Sequence, residues 1–212
     1  MTKSRIPARN EQLVSEPTGT STRSRLLASG ATLFGEKGYD GASIREICKH
    51  ASTSMNMIHH YFGSKEGLLN AIVEQFGSDI FVVPMRLLDK VPRSKEDFLS
   101  RMEMLLESTL EAYIEQRAVL LVVVREQADP SALREYMERF VEFLEQSKKK
   151  GFVRKEVDSE MITGAMHDRV LNQVLFAPWI KRSFGIDVLA DATYKRRWCN
   201  ANLDLLMHGF VP

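Results

Sequence analysis

The stretch Ser43-Ile-Arg-Glu-Ile-Cys-Lys-His-Ala-Ser-Thr-Ser-Met-Asn-Met-Ile-His-His-Tyr-Phe-Gly-Ser-Lys-Glu-Gly-Leu-Leu69 decides the reading of this chain. Ser43 and Glu46 form a capping box, in which each side chain bonds the other residue's backbone N–H and fixes where a helix begins. Ile44 and Ile47 then face inward, and Arg45 and Lys49 face out. After Ala51, Ser52 and Thr53, a second serine, Ser54, is expected to cap another short helix reaching about Tyr61. Two short helices joined by a turn of about four residues spell a helix-turn-helix. Ile58 is the inward residue of the second helix, with Met55 and Phe62 expected beside it. His59, His60, Tyr61 and Phe62 cannot all be buried on so short a helix, so part of its surface faces a partner. The most economical partner is DNA.

Working upstream, Leu26, Leu27, Ala31, Leu33 and Phe34 recur at helical spacing from Thr22, and the pattern stops at Gly38. A glycine suits the left-handed position just past a helix end, with Tyr39 able to fold back on the last turn. Asp40 and Gly41 make a turn. Downstream, Ser64 caps a fourth helix whose apolar side is Leu68, Leu69, Ile72, Val73 and Phe76, running to about Val83. Gly77 is a place for a bend, and Pro84 for a kink or an end.

With these residues in place, the run from Thr22 to Ile72 resembles the TetR family of bacterial transcriptional regulators. The signature reads here as Leu33-Phe34, Lys37-Gly38-Tyr39, Ser43-Ile44, Ile47, Ala51 and then Ile58-His59-His60-Tyr61-Phe62-Gly63-Ser64-Lys65-Glu66-Gly67-Leu68-Leu69. The resemblance implies an all-α fold, a three-helix DNA-binding head carrying the helix-turn-helix on a helical body that binds a ligand and dimerises. It implies phosphate contact by Lys65 and by the aromatic at Tyr61, and contact with backbone or base at the position of His59, where a tyrosine is usual. Three departures stand out. Ser52 replaces the usual turn glycine, and Asn56 and Met57 replace the small and Ser/Thr residues usual at the start of the recognition helix. Asn56 can still hydrogen-bond a base or phosphate, whereas Met57 offers apolar contact such as a thymine methyl.

Chemically, Asn56, Met57, His59 and His60 cover the face opposite Ile58, the face a major groove would meet. Ser43, Arg45, Ser54, Tyr61, Ser64 and Lys65 are the expected backbone contacts, and Ser64 with the first amides of its helix suits one phosphate. A second reading has His60 or His59 packed between helices. Adjacent helical residues diverge by about 100°, so the histidine pair is a poor metal site, and neither metal nor cofactor is expected.

Whole-chain numbers fit this reading. The 212 residues are 44% hydrophobic and 27% charged, ordinary for a globular protein. The net charge of +1 hides an asymmetry: residues 1–66 carry nine Lys/Arg against six Asp/Glu, and the remainder carries 20 against 22. The excess in front is a mild bias toward a polyanion. Cys48 and Cys199 form no C-x-x-C pair, which argues against a zinc site or disulfide scaffold. No unbroken apolar run approaches the roughly 18 residues of a membrane span, and no apolar segment follows Lys3, Arg5 and Arg9, so the expectation is a cytoplasmic protein without a membrane partner. Catalytic signatures such as G-x-S-x-G, His-Glu-x-x-His or a glycine-rich phosphate loop are missing, so no enzyme is expected.

Three segments follow: an irregular arm over 1–21, the head over 22–66 and the body over 67–212, with about nine helices in all. The arm is either an untethered terminus or a basic strand in which Lys3, Arg5 and Arg9 reach phosphates. In the body, Ser94, Asp129-Pro130 and Asp158 are expected helix starts, the valine-rich span 119–125 a buried helix, the eighth helix continuous to about Ser183 and the last helix running from about Asp187. Met102, Leu106, Tyr113, Val123, Met137, Phe140, Met166, His167 and Phe176 would line an effector cavity or, equally, fill the core. Val170, Val174, Leu175, Trp179, Trp198, Leu205 and Leu206 would pair with a second copy, as the resemblance implies, or fill each subunit's own core. The expected partners are a double-stranded palindromic operator, a small apolar effector that releases it and a second copy of the chain; a repressor is expected, with an activator or a protein-binding scaffold as the alternatives.

Overall fold

Serine and aspartate side chains set most of the helix starts. The computed structural model describes residues 21–210, with side chains to residue 205, so the expected arm and Leu206 lie outside the described side chains. Among the described residues are ten helices and no strand: α1 (Thr22–Gly41), α2 (Ile44–His50), α3 (Asn56–Phe62), α4 (Lys65–Leu88), α5 (Lys95–Glu115), α6 (Arg117–Arg125), α7 (Ser131–Lys149), α8 (Ser159–Leu175), α9 (Ala177–Phe184) and α10 (Ala192–Phe210). Ser43, Ser64, Ser94 and Asp158 accept hydrogen bonds from first-turn amides as expected.

Four expectations are corrected. Ser54 makes no cap; α3 opens at Asn56 without a side-chain cap. Asp129 does not cap α7 either, because its carboxylate pairs with Arg134 instead. The eighth helix is two, since the chain breaks at Phe176 and restarts at Ala177 with Pro178 in the first turn, which has no N–H to continue the ladder. Asp187 closes a turn by accepting from Leu189 and Ala190, and Asp191 caps the last helix instead.

Two apolar cores result. Leu26, Phe34, Ile47 and Ile58 are fully buried in the head together with Leu68 and Ile72 of α4 and Val122 of α6. Each such side chain contributes roughly 1.5–3 kcal/mol by leaving water. The body core gathers α4, α5, α7 and α8 around Phe81, Tyr113, Tyr136 and Phe140. Helix α4 runs through both cores. It passes the length and composition test for a membrane span, which corrects the expectation that no segment would; its apolar side is buried against α1, α5 and α7, and that burial accounts for its composition. Pro84 lies inside α4 without ending it, and Gly77 admits Ala132 and Pro130 of the α7 start, whose β-carbons stand 3.1 Å from where its own would be.

Helix α6 wedges against α1. An added β-carbon on Gly35 would stand 3.0 Å from the Ala118 carbonyl oxygen, so the two helices meet backbone to backbone. At their far ends Arg125 reaches the Gly35 carbonyl at 3.4 Å and Glu126 accepts the Tyr39 N–H at 2.9 Å.

Candidate nucleic-acid interface

The head builds its outer surface from helix ends. The Ser43–Glu46 capping box is complete, and Lys37 meets Glu46 at 2.7 Å. The hydrogen bond from Lys37, then those from the Ser43 backbone and side chain, hold the Glu46 carboxyl down at about 2. This ties the end of α1 to the start of α2 and leaves Ser43 and Arg45 exposed. The turn between α2 and α3 closes with Ser52 donating to the Lys49 carbonyl at 3.2 Å and Thr53 to the Cys48 carbonyl at 2.9 Å, the pair of bonds that terminates a helix around a left-handed residue. That residue is Ser52, with φ at +52°. The substitution of serine for the usual glycine therefore falls on the one position of the turn where glycine has a physical reason.

Of the residues expected to meet DNA, Ser43, Arg45, Ser54, Asn56, His59, His60 and Ser64 are exposed, and Met57, Tyr61 and Lys65 are half-buried. Met55, expected inside, is 54% exposed, while Met57 turns partly against the head core. Met55 stands at the N-cap, just outside α3, and Met57 lies in its first turn. His60 stacks edge-on against Tyr61 with ring centres 4.8 Å apart, and His59 bonds the Gly63 carbonyl through Nδ1 at 3.0 Å. His59 and His60 are thus surface residues and not helix-packing ones. Lys65 Nζ rests 4.3 Å over the Tyr39 ring, beside the Ser64 hydroxyl that caps α4. Burial first, then Glu66, Asp40 and Glu126, push the Tyr39 phenol up. Sequence reasoning had no signal for Tyr39 as the platform under Lys65, because the two are far apart along the chain.

In the body, the residues proposed for an effector cavity mostly fill one another's space. Met102, Leu106, Tyr113, Phe140 and Met166 are buried, and Val123 and Met137 lie on the same core. A cavity of about 10 Å³ remains, lined by Leu105, Leu106, Thr109, Tyr136, Met166, His167 and Val170. The Tyr113 hydroxyl and His167 Nε2 meet at 2.7 Å beside it, and burial draws the His167 imidazole below its ordinary value. Phe176 is not part of this group. It is exposed and lines an open groove of about 870 Å³ with Trp179, Trp198 and Asn202 across α8, α9 and α10. Of the residues expected to pair two copies, Val170 and Val174 are buried in their own subunit, Leu175 and Trp198 are half-buried, and Trp179 and Leu205 are exposed.

A three-helix head with a helix-turn-helix, mounted on an all-helical body through a shared long helix, defines the class. Residues 26–72 match the family model for bacterial regulatory proteins of the tetR family. It is similar to the HTH-type transcriptional regulator UidR of Escherichia coli, 41% identical over 54 residues that make up 26% of this chain and 28% of that protein. Its likeness to the HTH-type transcriptional repressor KstR2 of Mycobacterium tuberculosis extends further, at 24% identity over 70% of this chain and 77% of that one. The solved structure of KstR2, described as a ketosteroid transcriptional regulator, superposes with a TM-score of 0.66 at 18% identity over 92% of this chain and 97% of its own. FadR of Bacillus subtilis, solved with stearoyl-CoA, gives 0.65 at 16% over 86% and 96%. At these identities the two structures share the fold with this chain, and the higher identity to UidR extends over 54 residues only.

Proposed function

We propose that this protein is a DNA-binding transcriptional repressor that acts in the cytoplasm as a homodimer on a palindromic operator and leaves it when a small, largely apolar effector binds the body. The observation that carries the reading is the recognition helix: α3 buries Ile58 and leaves Asn56, His59 and His60 exposed, flanked by the Ser64 cap and Lys65 at the start of α4. The exposed polar row suits base edges, and the α4 terminus with Lys65 suits a phosphate. Ser43 and Arg45 extend the backbone contacts on the other side, with Ser54 in the turn between.

Pairing through the C-terminal helices draws support from the exposed Phe176, Trp179 and Leu205, apolar area a lone subunit leaves in water. Two-fold symmetry then sets the recognition helices roughly 34 Å apart, one turn of DNA. Repression rather than activation follows the name of KstR2. For the effector, the body supplies an aromatic and methionine-rich core with the Tyr113–His167 pair as its polar anchor. A cavity of about 10 Å³ has no room for such a ligand, so binding selects a state in which α5, α7 and α8 part. FadR carries an acyl-CoA on the same fold, which makes acyl thioesters the first effectors to try.

Selection from a random duplex pool tests the reading. The full chain is expected to enrich a palindrome and to lose affinity steeply as salt rises. Joint replacement Lys65→Ala and Tyr61→Ala is expected to weaken binding by about tenfold or more with the dimer intact in sedimentation. A chain that holds no selected duplex better than random DNA at moderate salt sinks it.

A further inference from the structure

We propose that His59 reads a base by accepting a hydrogen bond from an exocyclic amino group, adenine N6 or cytosine N4, in the major groove, an inference that rests on the DNA-binding reading above. His59 and Gly63 are joined twice: the Gly63 N–H donates to the His59 carbonyl at 3.1 Å, and His59 Nδ1 lies 3.0 Å from the Gly63 carbonyl oxygen. A carbonyl has no proton to give, so Nδ1 is the donor of the second bond. Neutral imidazole carries a single N–H, and with that proton on Nδ1 the other nitrogen, Nε2, is left with a lone pair. The turn that brings the Gly63 carbonyl back to the ring, with φ at +76°, therefore selects the tautomer.

The consequence is a sharp restriction on what His59 can bind. Phosphate oxygens only accept, so the neutral ring has nothing to offer them from Nε2. In the major groove the donors are adenine N6 and cytosine N4, whereas guanine N7 and O6 and thymine O4 only accept. A tyrosine hydroxyl in this place would both donate and accept and so would serve backbone and base alike. In its neutral form His59, with its one proton committed to Gly63, can only accept. Its neighbours leave the place open: His60 is turned against the Tyr61 ring, and Lys65 lies over Tyr39. His59 itself is exposed, about 100° around the helix from the buried Ile58.

The test begins with the palindrome enriched by the full chain. Adenines and cytosines in it are replaced singly, in both half-sites, by nebularine or zebularine, which lack the N6 or N4 amino group. One symmetric position is expected to lower binding by about tenfold, the effect of a lost base contact, and which analogue acts tells adenine from cytosine. His59→Phe, which keeps a ring and removes both nitrogens, is expected to bind the parent duplex about as weakly and to be indifferent to the analogue at that position. Equal analogue sensitivity in both proteins overturns the proposal. So does His59→Phe weakening all duplexes by one factor with base preference intact, the mark of a phosphate contact. If His59→Phe does not fold, as judged by circular dichroism, the analogue scan on the unaltered chain decides alone, and no sensitive position overturns the proposal. Failure to enrich any duplex at the outset overturns the DNA-binding reading itself, a result distinguishable because it precedes every substitution.

Discussion

The backbone N–H of Tyr39 donates to Glu126 Oε1 at 2.9 Å, which ties the segment leaving α1 in the head to the end of α6 in the body. The Tyr39 ring in turn underlies Lys65 Nζ at 4.3 Å. A body carboxylate thus fixes the backbone that carries the platform under Lys65, the lysine proposed to meet a phosphate. One hydrogen bond and one ring thus connect the end of α6 to that lysine. Glu126→Ala is expected to lower stability to urea by about 1 kcal/mol, the net worth of a half-buried bond to a charged acceptor, and to weaken operator binding several-fold. Glu126→Gln retains a carbonyl acceptor and should keep most of both. Unchanged binding and stability in Glu126→Ala would count against the coupling.

The contact between α1 and α6 also depends on Gly35, whose missing side chain admits the Ala118 carbonyl. Gly35→Ala gains about 1 kcal/mol of helix propensity and spends it on a 3.0 Å contact, so its net effect should be small. Gly35→Val has less propensity gain and adds two methyl groups at the same place; a loss of about 2 kcal/mol in chemical denaturation is expected. Equal stability of the two variants would refute the close approach.

Ser52 holds a left-handed conformation, φ +52°, that costs a residue with a β-carbon about 1–2 kcal/mol relative to glycine. Glycine returns part of that gain through the freedom of its unfolded chain, so Ser52→Gly should stabilise by about 0.5–1 kcal/mol. A raised melting temperature with DNA affinity unchanged is the expected result, and a lowered one would show that the serine side chain holds the turn.

Burial lowers the His167 pKa from its ordinary 6.5, with Asp168 opposing. Below that value the unfolded chain binds more protons than the folded one, so stability is full above it and lost as pH falls. The urea midpoint should drop between about pH 7 and about pH 5, and His167→Gln should flatten that part of the profile. A profile with the same slope in both proteins would assign the pH dependence elsewhere.

How far the sequence could be read depended on the range of the interaction. Capping by Ser43, Ser64, Ser94 and Asp158 acts within three residues and was legible, as was the buried α6 against a strand reading of its valines; Gly38, expected to end the first helix, instead kinks α1 with φ at +79°, and Asp40 and Gly41, expected as a turn, stay within it. Ser54 and Asp129 had the right chemistry in the right place and lost to competing geometry: the turn around Ser52 delays α3, and Arg134 takes the Asp129 carboxylate. The break at Phe176 was written in Pro178, a residue without an amide hydrogen, and was passed over.

By itself the sequence determined the helical class, the helix-turn-helix and the resemblance of the head to the tetR family, because capping, apolar period and a fixed motif spacing are local or nearly so. Only the tertiary structure decided that Met55 and Met57 exchange places, that Phe176 leaves the body core for an outer groove, and that the core closes to about 10 Å³. It also decided the bonds of Glu126 to Tyr39 and of Tyr113 to His167. Those outcomes rest on how helices distant in the chain rotate and pack against one another, and a helix's period tells which side is apolar without telling what it will meet.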